Sequence, residues 1–139
     1  MTNFTSTRLI TGDIHRLVDF YAQVTGIAPH WLAPVFAEFA TKRATLAIAA
    51  TETMALFGLN PGAPAAGAPA ADSGTILDLR VADVDREATR LAVAGIAFVQ
   101  EPTTMPWGNR SLLLRDPEGR LVNLFAPVTP EAIARLGEG

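Results

Sequence analysis

Residues 8–27 read RLITGDIHRLVDFYAQVTGI, and residues 78–98 repeat the same pattern as DLRVADVDREATRLAVAGIAF. Each copy has a short apolar run, then Asp13 or Asp83, then an apolar spacing typical of an amphipathic helix. An Asp at this place can cap the helix by accepting from first-turn amides, and a glycine such as Gly26 can end it in the left-handed conformation. The repeat predicts that the chain contains two copies of one structural module.

Three strand-like runs follow each predicted helix. They are FAEFAT, ATLAIAA and ETMALFGL in the first half, and AFVQEP, RSLLLR and LVNLFAP in the second half. Asp116-Pro117-Glu118-Gly119 joins the last two runs and has strong turn chemistry. The pattern of each half therefore predicts a βαβββ module. We expect module one at residues 5–59 and module two at residues 75–128.

The segment between the modules, residues 60–74, is NPGAPAAGAPAADSG. Ala, Gly and Pro cannot build a core, so we expect a flexible linker. At residues 129–137, Thr129 as N-cap and Pro130 at the first helical position predict a short C-terminal helix. Residues 1–139 then form a single domain made of two modules.

The composition excludes several functional classes. The formal charge is −3 and charged residues make up only 18% of the chain, below the ~25% of an average domain. No basic region is available for nucleic acid or for an anionic membrane, so neither is an expected partner. No cysteine is present, which removes disulfides and thiolate chemistry and is typical of the cytoplasm, where we expect the protein.

Several of these motifs together resemble the vicinal oxygen chelate superfamily, which includes glyoxalase I, bleomycin-resistance proteins and extradiol dioxygenases. They are Asp13 with Phe20-Tyr21 and Thr25-Gly26, Asp83-Val84-Asp85 with Ala94-Gly95-Ile96, and the Asp116-Pro117-Glu118-Gly119 turn. EPTTMPWGNRS, residues 101–111, is similar to a stretch of many glyoxalase-like proteins. The resemblance implies an α+β fold in which the two βαβββ modules form one eight-stranded curled mixed sheet, a cup, with helices outside.

Metal-dependent members of that superfamily hold a divalent ion with His, Glu or Gln side chains. The resemblance puts the matching positions at Ser6, Ala47, Ile76 and Asn123. None of these side chains is an imidazole or a carboxylate, and a divalent ion needs several such donors. We therefore predict no metal site and no cofactor, with a divalent metal as the alternative.

Strand alternation predicts which side chains line the cup, since residues two apart share a face. If Asn123 faces inward, the same face carries Ser111, Leu113 and Phe125 in the second module. In the opening strand of the second module the inward positions are Ile76, Asp78 and Arg80. In the opening strand of the first module they are Ser6, Arg8 and Ile10. Asp78 paired with Arg80 or Arg8 in a structural ion pair is the alternative to a role in binding. Phe57 and Met54 either line the mouth of the cup or belong to the core.

Two tryptophans fall in predicted loops and offer flat stacking surfaces. Trp31 follows His30, and Trp107 lies in the 101–111 segment next to Arg110. We expect Trp31, Trp107 and Arg110, with the inward-facing Ser111, Leu113, Asn123 and Phe125, to bind the ligand. His15, the other histidine, is expected in solvent on the first helix.

Three functions remain open at this point. The first is a metal-free protein that binds a small apolar or aromatic molecule in the cup. The second is a lyase, isomerase or dioxygenase with unorthodox or no metal ligands, for which His30, Asp78 and Arg80 are the candidate catalytic residues. The third is a structural role with a filled cup. Because open sheet edges are best covered by a partner, we also expect a homodimer.

Overall fold

Residues 1–59 and 74–138 are described by a computed structural model of the chain. The chain divides into two compact units, Met1–Ala68 and Pro69–Gly139. Each unit contains one four-stranded mixed sheet, so the α+β class and the two-module organisation are confirmed. Except for Gly74, the expected linker at residues 60–74 lies outside the described residues.

The first unit follows the order βαβββ and ends in a 3₁₀ helix. The elements are β1 (Ser6–Thr11), α1 (Ile14–Thr25), β2 (His30–Ala33), β3 (Phe36–Ala40), β4 (Thr45–Ala50) and the 3₁₀ helix (Thr51–Phe57). The strand order is β1-β4-β3-β2. Strands β1 and β4 are parallel, and the two other pairings are antiparallel.

The second unit repeats this topology and ends in an α-helix. Its elements are β5 (Ile76–Arg80), α2 (Val84–Val93), β6 (Phe98–Thr104), β7 (Asn109–Arg115), β8 (Leu121–Pro127) and α3 (Pro130–Leu136). The strand order β5-β8-β7-β6 matches that of the first sheet, with β5 parallel to β8. None of the helices in these described ranges combines the length and apolarity that a membrane crossing requires.

The helix caps form as the repeat predicts. The carboxylate of Asp13 accepts from the backbone N–H of Arg16, and that of Asp83 accepts from the N–H of Arg86. Gly26 ends α1 at φ 70°, in the left-handed region that costs glycine little. At the C-terminus, Thr129 caps α3 through the N–H of Ala132.

Two local predictions in the first unit are wrong. ETMALFGL is not a strand, because Thr51–Phe57 forms the 3₁₀ helix, in which the Thr53 hydroxyl donates to the Ala50 carbonyl at 2.7 Å. A short apolar run does not by itself distinguish helix from strand. The segment with His30 and Trp31 is not a loop, because it forms β2 and pairs with β3.

Each helix covers one face of the sheet in its own unit. In α1 the buried side chains are Leu17, Val18, Tyr21 and Val24, and in α2 they are Val84, Ala88 and Leu91. Side chains on the helix-covered faces include Leu9, Ala37 and Ile48 of the first sheet and Leu112, Val122 and Leu124 of the second, all buried. The opposite face of each sheet, called here its open face, carries the polar side chains considered next.

Candidate functional site

The open face of the second sheet brings most of the predicted ligand-binding residues together. Strand register places Asp78 beside Asn123, and Asn123 beside Leu113. One step along the sheet, Phe125 lies between Arg80 and Ser111. Because paired residues on neighbouring strands share a face, these six side chains lie on one surface, as alternation predicts.

Asn123 is the polar centre of this surface. Its Nδ2 donates to Oδ1 of Asp78 at 2.8 Å. This bond fixes the amide, because turning it over would bring its oxygen against a carboxylate oxygen. The other amide atom, Oδ1, is buried and accepts no hydrogen bond from the described residues. Asn123 therefore holds one oriented acceptor just beneath this surface, at a position where an unmade hydrogen bond is costly.

Arg80 belongs to the same face but is already engaged. Its NH2 group donates to the Gly137 carbonyl at 2.8 Å, and its NH1 group donates to the Leu136 carbonyl at 3.3 Å. Both carbonyls lie at the C-terminal end of α3, where helix carbonyls lack partners within the helix. Asp78 and Arg80 thus have different partners, and the ion pair that the sequence leaves open as an alternative does not form between these two residues.

Trp107 lies in the turn between β6 and β7 and is 59% exposed. Its carbonyl accepts from Arg135 of α3. The next residue, Gly108, is buried at φ 92°, and a Cβ there would lie 2.1 Å from the Thr129 hydroxyl oxygen. Only glycine lets α3 pack this closely on the turn, so the position of α3 depends on Gly108.

Arg110 is separated from the rest of the predicted set, because it lies on the opposite face of β7 from Ser111. Its guanidinium binds the Asp85 carboxylate of α2 through two hydrogen bonds of 2.7 and 2.8 Å. This pair lowers the pKa of Asp85 and raises the pKa of Arg110, mainly through the side-chain hydrogen bonds. The geometry gives Arg110 a role in joining α2 to the sheet.

The open face of the first sheet carries a second group of polar side chains. Register aligns Arg8 with Ala47, Ala47 with Glu38, and Glu38 with His30 across four strands. The Arg8 guanidinium carbon lies 5.0 Å from the centroid of the Phe36 ring. Phe36 and Glu38 were not among the sequence candidates, although alternation along β3 could have placed them opposite Ala37 and Phe39.

Phe57, at the end of the 3₁₀ helix, also faces Arg8, with its ring centroid 5.9 Å from the guanidinium carbon. It is 65% exposed, so it is not a core residue. Of the two roles that the sequence leaves open for Phe57, the structure is consistent with a surface role. The two phenyl rings and the cation together form the aromatic group of the first open face.

Trp31 lies on the other side of the first sheet from His30. It pairs with the buried Ala37, and its ring lies against that of His15 in α1, tilted by 36° at a centroid distance of 5.3 Å. Both rings line a shallow depression of about 380 Å³, together with residues 32–34. Trp31 is therefore not part of the open face, and His15 has a partner that the helix pattern alone does not predict.

The side chains at the family's metal-binding positions do not fit a divalent ion. Register places Asp78, rather than Ile76, beside Asn123, and Arg8, rather than Ser6, beside Ala47. The second sheet thus offers one carboxylate and one amide oxygen, while the first offers a cation and a methyl group. Among the described residues, no three His, Asp or Glu side chains come together in a metal-binding group. Divalent ions need more convergent donors than this.

Solved structures similar to this chain are proteins with this fold. A glyoxalase/bleomycin resistance protein/dioxygenase from Nocardioides is 24% identical, with a TM-score of 0.72 over 94% of this chain and 86% of that chain. A family enzyme from Burkholderia phytofirmans is 21% identical, with a TM-score of 0.73 over 89% and 98%. A lactoylglutathione lyase from Agrobacterium tumefaciens is 22% identical, with a TM-score of 0.68 over 90% and 93%.

These identities are low, so the structural similarity establishes the fold and not the reaction. No curated protein matches the chain significantly. The family model described as Glyoxalase/Bleomycin resistance protein/Dioxygenase superfamily matches residues 3–124. That match covers both repeats, the Asp116 turn and Asn123, and thus includes the motifs on which the resemblance depends. The chain belongs to the glyoxalase/bleomycin resistance protein/dioxygenase superfamily.

Proposed function

We propose that this protein binds a small apolar or aromatic molecule in the cup, without a metal ion. The open face of the second sheet supplies the main contacts. Leu113 and Phe125 provide apolar surface, and Asn123 provides the polar group that orients the ligand. This mixture of apolar walls and few polar groups is typical of small-molecule sites.

The observation that carries this proposal is the geometry of Asn123. Its Nδ2 is committed to Asp78, and its buried Oδ1 accepts no hydrogen bond from the described residues. An acceptor held in this way favours a ligand that brings an N–H or O–H donor together with an apolar body. A ligand without a donor would leave the acceptor unsatisfied, at a cost of ~1–3 kcal/mol.

The test is a panel of aromatic antibiotics and aromatic metabolites, followed by thermal shift and tryptophan fluorescence. We expect at least one compound with a donor group to raise the melting temperature. Asn123→Leu should then weaken its binding by ~1–3 kcal/mol while leaving the fold intact. Asn3→Leu makes a similar chemical change at an exposed position before β1 and should have no effect. Flat responses throughout the panel would exclude the proposal.

The metal-free part of the proposal has its own test. Elemental analysis of protein purified without chelator should find no stoichiometric Ni, Zn, Fe or Mn. Calorimetry with the same ions should find no tight binding to Asn123→Glu, because Asp78 would be the only other carboxylate in its row. Tight one-to-one binding to that variant would overturn the metal-free assignment.

A second candidate function is a metal-free lyase or isomerase that uses Asp78 as a general base. It is favoured by the hydrogen bond from Asn123, which holds one oxygen of an exposed carboxylate in a fixed position. A general base needs this kind of positioning. Compounds that bind should be followed by NMR for conversion. Conversion that is lost in Asp78→Asn, with binding retained, would favour the enzyme over the binding protein.

We also propose a homodimer in the cytoplasm. Strand β2 ends the first sheet and β6 ends the second, and both carry exposed apolar side chains, Leu32 at 54% and Val99 at 47%. Edges of this kind are favourable pairing surfaces. Light scattering at micromolar concentration should give the mass of two chains, and a monomer mass would contradict the dimer. Cell fractionation tests the location.

A further inference from the structure

The aromatic group of the first open face forms because β4 has only small side chains on that face. Arg8 belongs to β1 and Phe36 to β3, so β4 lies between them. The β4 residues in register with them are Ala47 and Ala49. Methyl side chains leave room for the long Arg8 side chain to cross β4 and reach the Phe36 ring.

The two phenyl rings hold the guanidinium but do not use its hydrogen-bond donors. A guanidinium is attracted to aromatic faces by cation–π interaction, while its N–H groups point outward in its own plane. Among the described residues, none accepts a hydrogen bond from the Arg8 side chain or forms an ion pair with it. Arg8 and Phe57 are also exposed. The result is a positioned cation with available donors beside an apolar surface.

We propose that Arg8 binds the carboxylate of an organic acid whose apolar or aromatic body packs on Phe36 and Phe57. The inference goes beyond the proposed function, because it concerns the open face of the first sheet and not the surface around Asn123. A carboxylate matches the planar donor geometry of arginine and accepts two parallel charge-assisted hydrogen bonds. The phenyl rings give such an acid a contact that a small inorganic anion cannot use, and they favour an organic anion over phosphate or chloride.

Glu38 is the charged group that opposes this assignment, and it limits the ligand. It lies in the same row as Arg8, two strands away, which is ~10 Å between backbones. Because Arg8 crosses β4 to reach Phe36, two residues from Glu38 on the same face of β3, a carboxylate bound to Arg8 is repelled by Glu38 from closer than the backbone spacing. Without direct contact, this repulsion is smaller in a solvated site than the attraction of the contacting Arg8. We therefore expect a monocarboxylate, because a second negative group near Glu38 would be disfavoured.

The test compares acids with their neutral amides: benzoate with benzamide, phenylacetate with phenylacetamide, and 2-naphthoate with 2-naphthamide. Dissociation constants are measured by calorimetry or by NMR titration. For wild type we expect each acid to bind more tightly than its amide, and added salt to weaken only the acids. Arg8→Gln should weaken binding of the acids about tenfold and leave the amides within about twofold.

Two further variants make the result specific. Arg16→Gln removes the same charge from an exposed position on α1 and should leave every constant unchanged. Arg8→Lys keeps the charge but loses the paired donors, so acids should bind with intermediate affinity. If Arg8→Gln lowers stability, the acid affinity of Arg8→Lys still measures the contribution of the paired Arg8 donors.

The outcomes separate this inference from the proposed function. Acids and amides that bind equally well to wild type, or acids that bind equally to Arg8→Gln, would overturn the role of Arg8 and leave small-molecule binding intact. If neither acids nor amides bind and the wider aromatic panel is also flat, both proposals fail. An equal loss of acid binding in Arg16→Gln would show that only net charge matters, and that would also overturn the role of Arg8.

Discussion

Arg8 and Arg80 both lie on the opening strands of their modules, at positions two residues apart in the repeat, and they have different partners. Each lies on the opening strand of its sheet and reaches the segment that follows the closing strand. Arg80 meets the carbonyl oxygens at the end of α3, so its donors are used inside the protein. Arg8 contacts the rings of Phe36 and Phe57, which attract its positive charge but accept no hydrogen bonds from its N–H groups in these contacts.

The repeat makes this difference informative. Arg8 precedes Asp13 by five residues, as Asp78 precedes Asp83, yet one is a cation and the other an anion. Asp78 has Asn123 beside it, whereas Arg8 has Ala47. The partner on the closing strand thus decides whether the opening-strand side chain is fixed by a hydrogen bond or is free to cross the sheet. Two sheets of the same topology thus carry two different chemical surfaces.

The largest expected effect comes from removing the packing that holds α3 near Arg80. Gly108→Ala adds a Cβ 2.1 Å from the Thr129 hydroxyl oxygen at a backbone φ of 92°. Strain and overpacking should together lower the free energy of unfolding by ~2–5 kcal/mol. Gly26→Ala is the control, since its φ is also positive but its Cβ meets nothing within 4 Å. Urea unfolding should show the smaller loss for Gly26→Ala, and equal losses would contradict the close packing.

The second expected effect tests the two arginines directly. Arg80→Gln removes two hydrogen bonds to helix carbonyls and should lower the free energy of unfolding by ~1 kcal/mol. Arg8→Gln removes only contacts with the half-buried Phe36 ring and the exposed Phe57 ring and should cost less than about 0.5 kcal/mol. Thermal and urea unfolding of both variants measure the difference. A larger loss for Arg8→Gln would mean that Arg8 is the structural arginine.

A smaller effect is expected at Glu38, and it concerns affinity rather than stability. Glu38→Gln removes the negative charge in the row of Arg8, so binding of 2-naphthoate should become about twofold tighter. Binding of 2-naphthamide should not change. Glu87→Gln removes a carboxylate from α2 and serves as the charge control. A loss of acid binding in Glu38→Gln would show that Glu38 assists the ligand instead of opposing it.

The smallest expected effect is the pH dependence of the exposed Asp85–Arg110 pair. The hydrogen bond from Arg110 lowers the pKa of Asp85 below its ordinary value of 3.8. A lowered folded-state pKa stabilises the fold above the unfolded-state pKa, and the stabilisation disappears as the pH falls through the folded-state pKa. Melting temperatures of wild type and Arg110→Gln should therefore differ slightly at pH 7 and converge well below pH 3.8. Arg86→Gln, also on α2, should show no such convergence.

Much of the fold could be predicted because its signals are local in the sequence. Asp13 and Asp83 cap their helices through residues three positions away, and Gly26 ends α1 within its own turn. Alternation along β8 placed Asn123 and Phe125 on one face, since successive side chains of a strand must point to opposite sides. The 3₁₀ helix was missed because a short apolar run such as ETMALFGL fits the hydrophobic period of a helix as well as that of a strand.

The site was predicted only in part, because its contacts join residues distant in sequence. Arg110 and Ser111 are adjacent in the chain but lie on opposite faces of β7. Trp31 likewise lies on the opposite face from His30. A site predicted from residues that are close in the sequence therefore combines side chains from both faces of a sheet. Only the observed strand pairing shows which side chains share a face.

The sequence by itself determined the repeat, the caps, the turn chemistry and the two-module α+β fold, since these depend on neighbours within a few residues. Tertiary structure decided that Asn123 donates to Asp78, 45 residues earlier in the chain. It also decided that Ala47 lies between Arg8 and Glu38. Register between strands sets these contacts, and register follows from the packing of whole sheets against α1 and α2 rather than from any short segment.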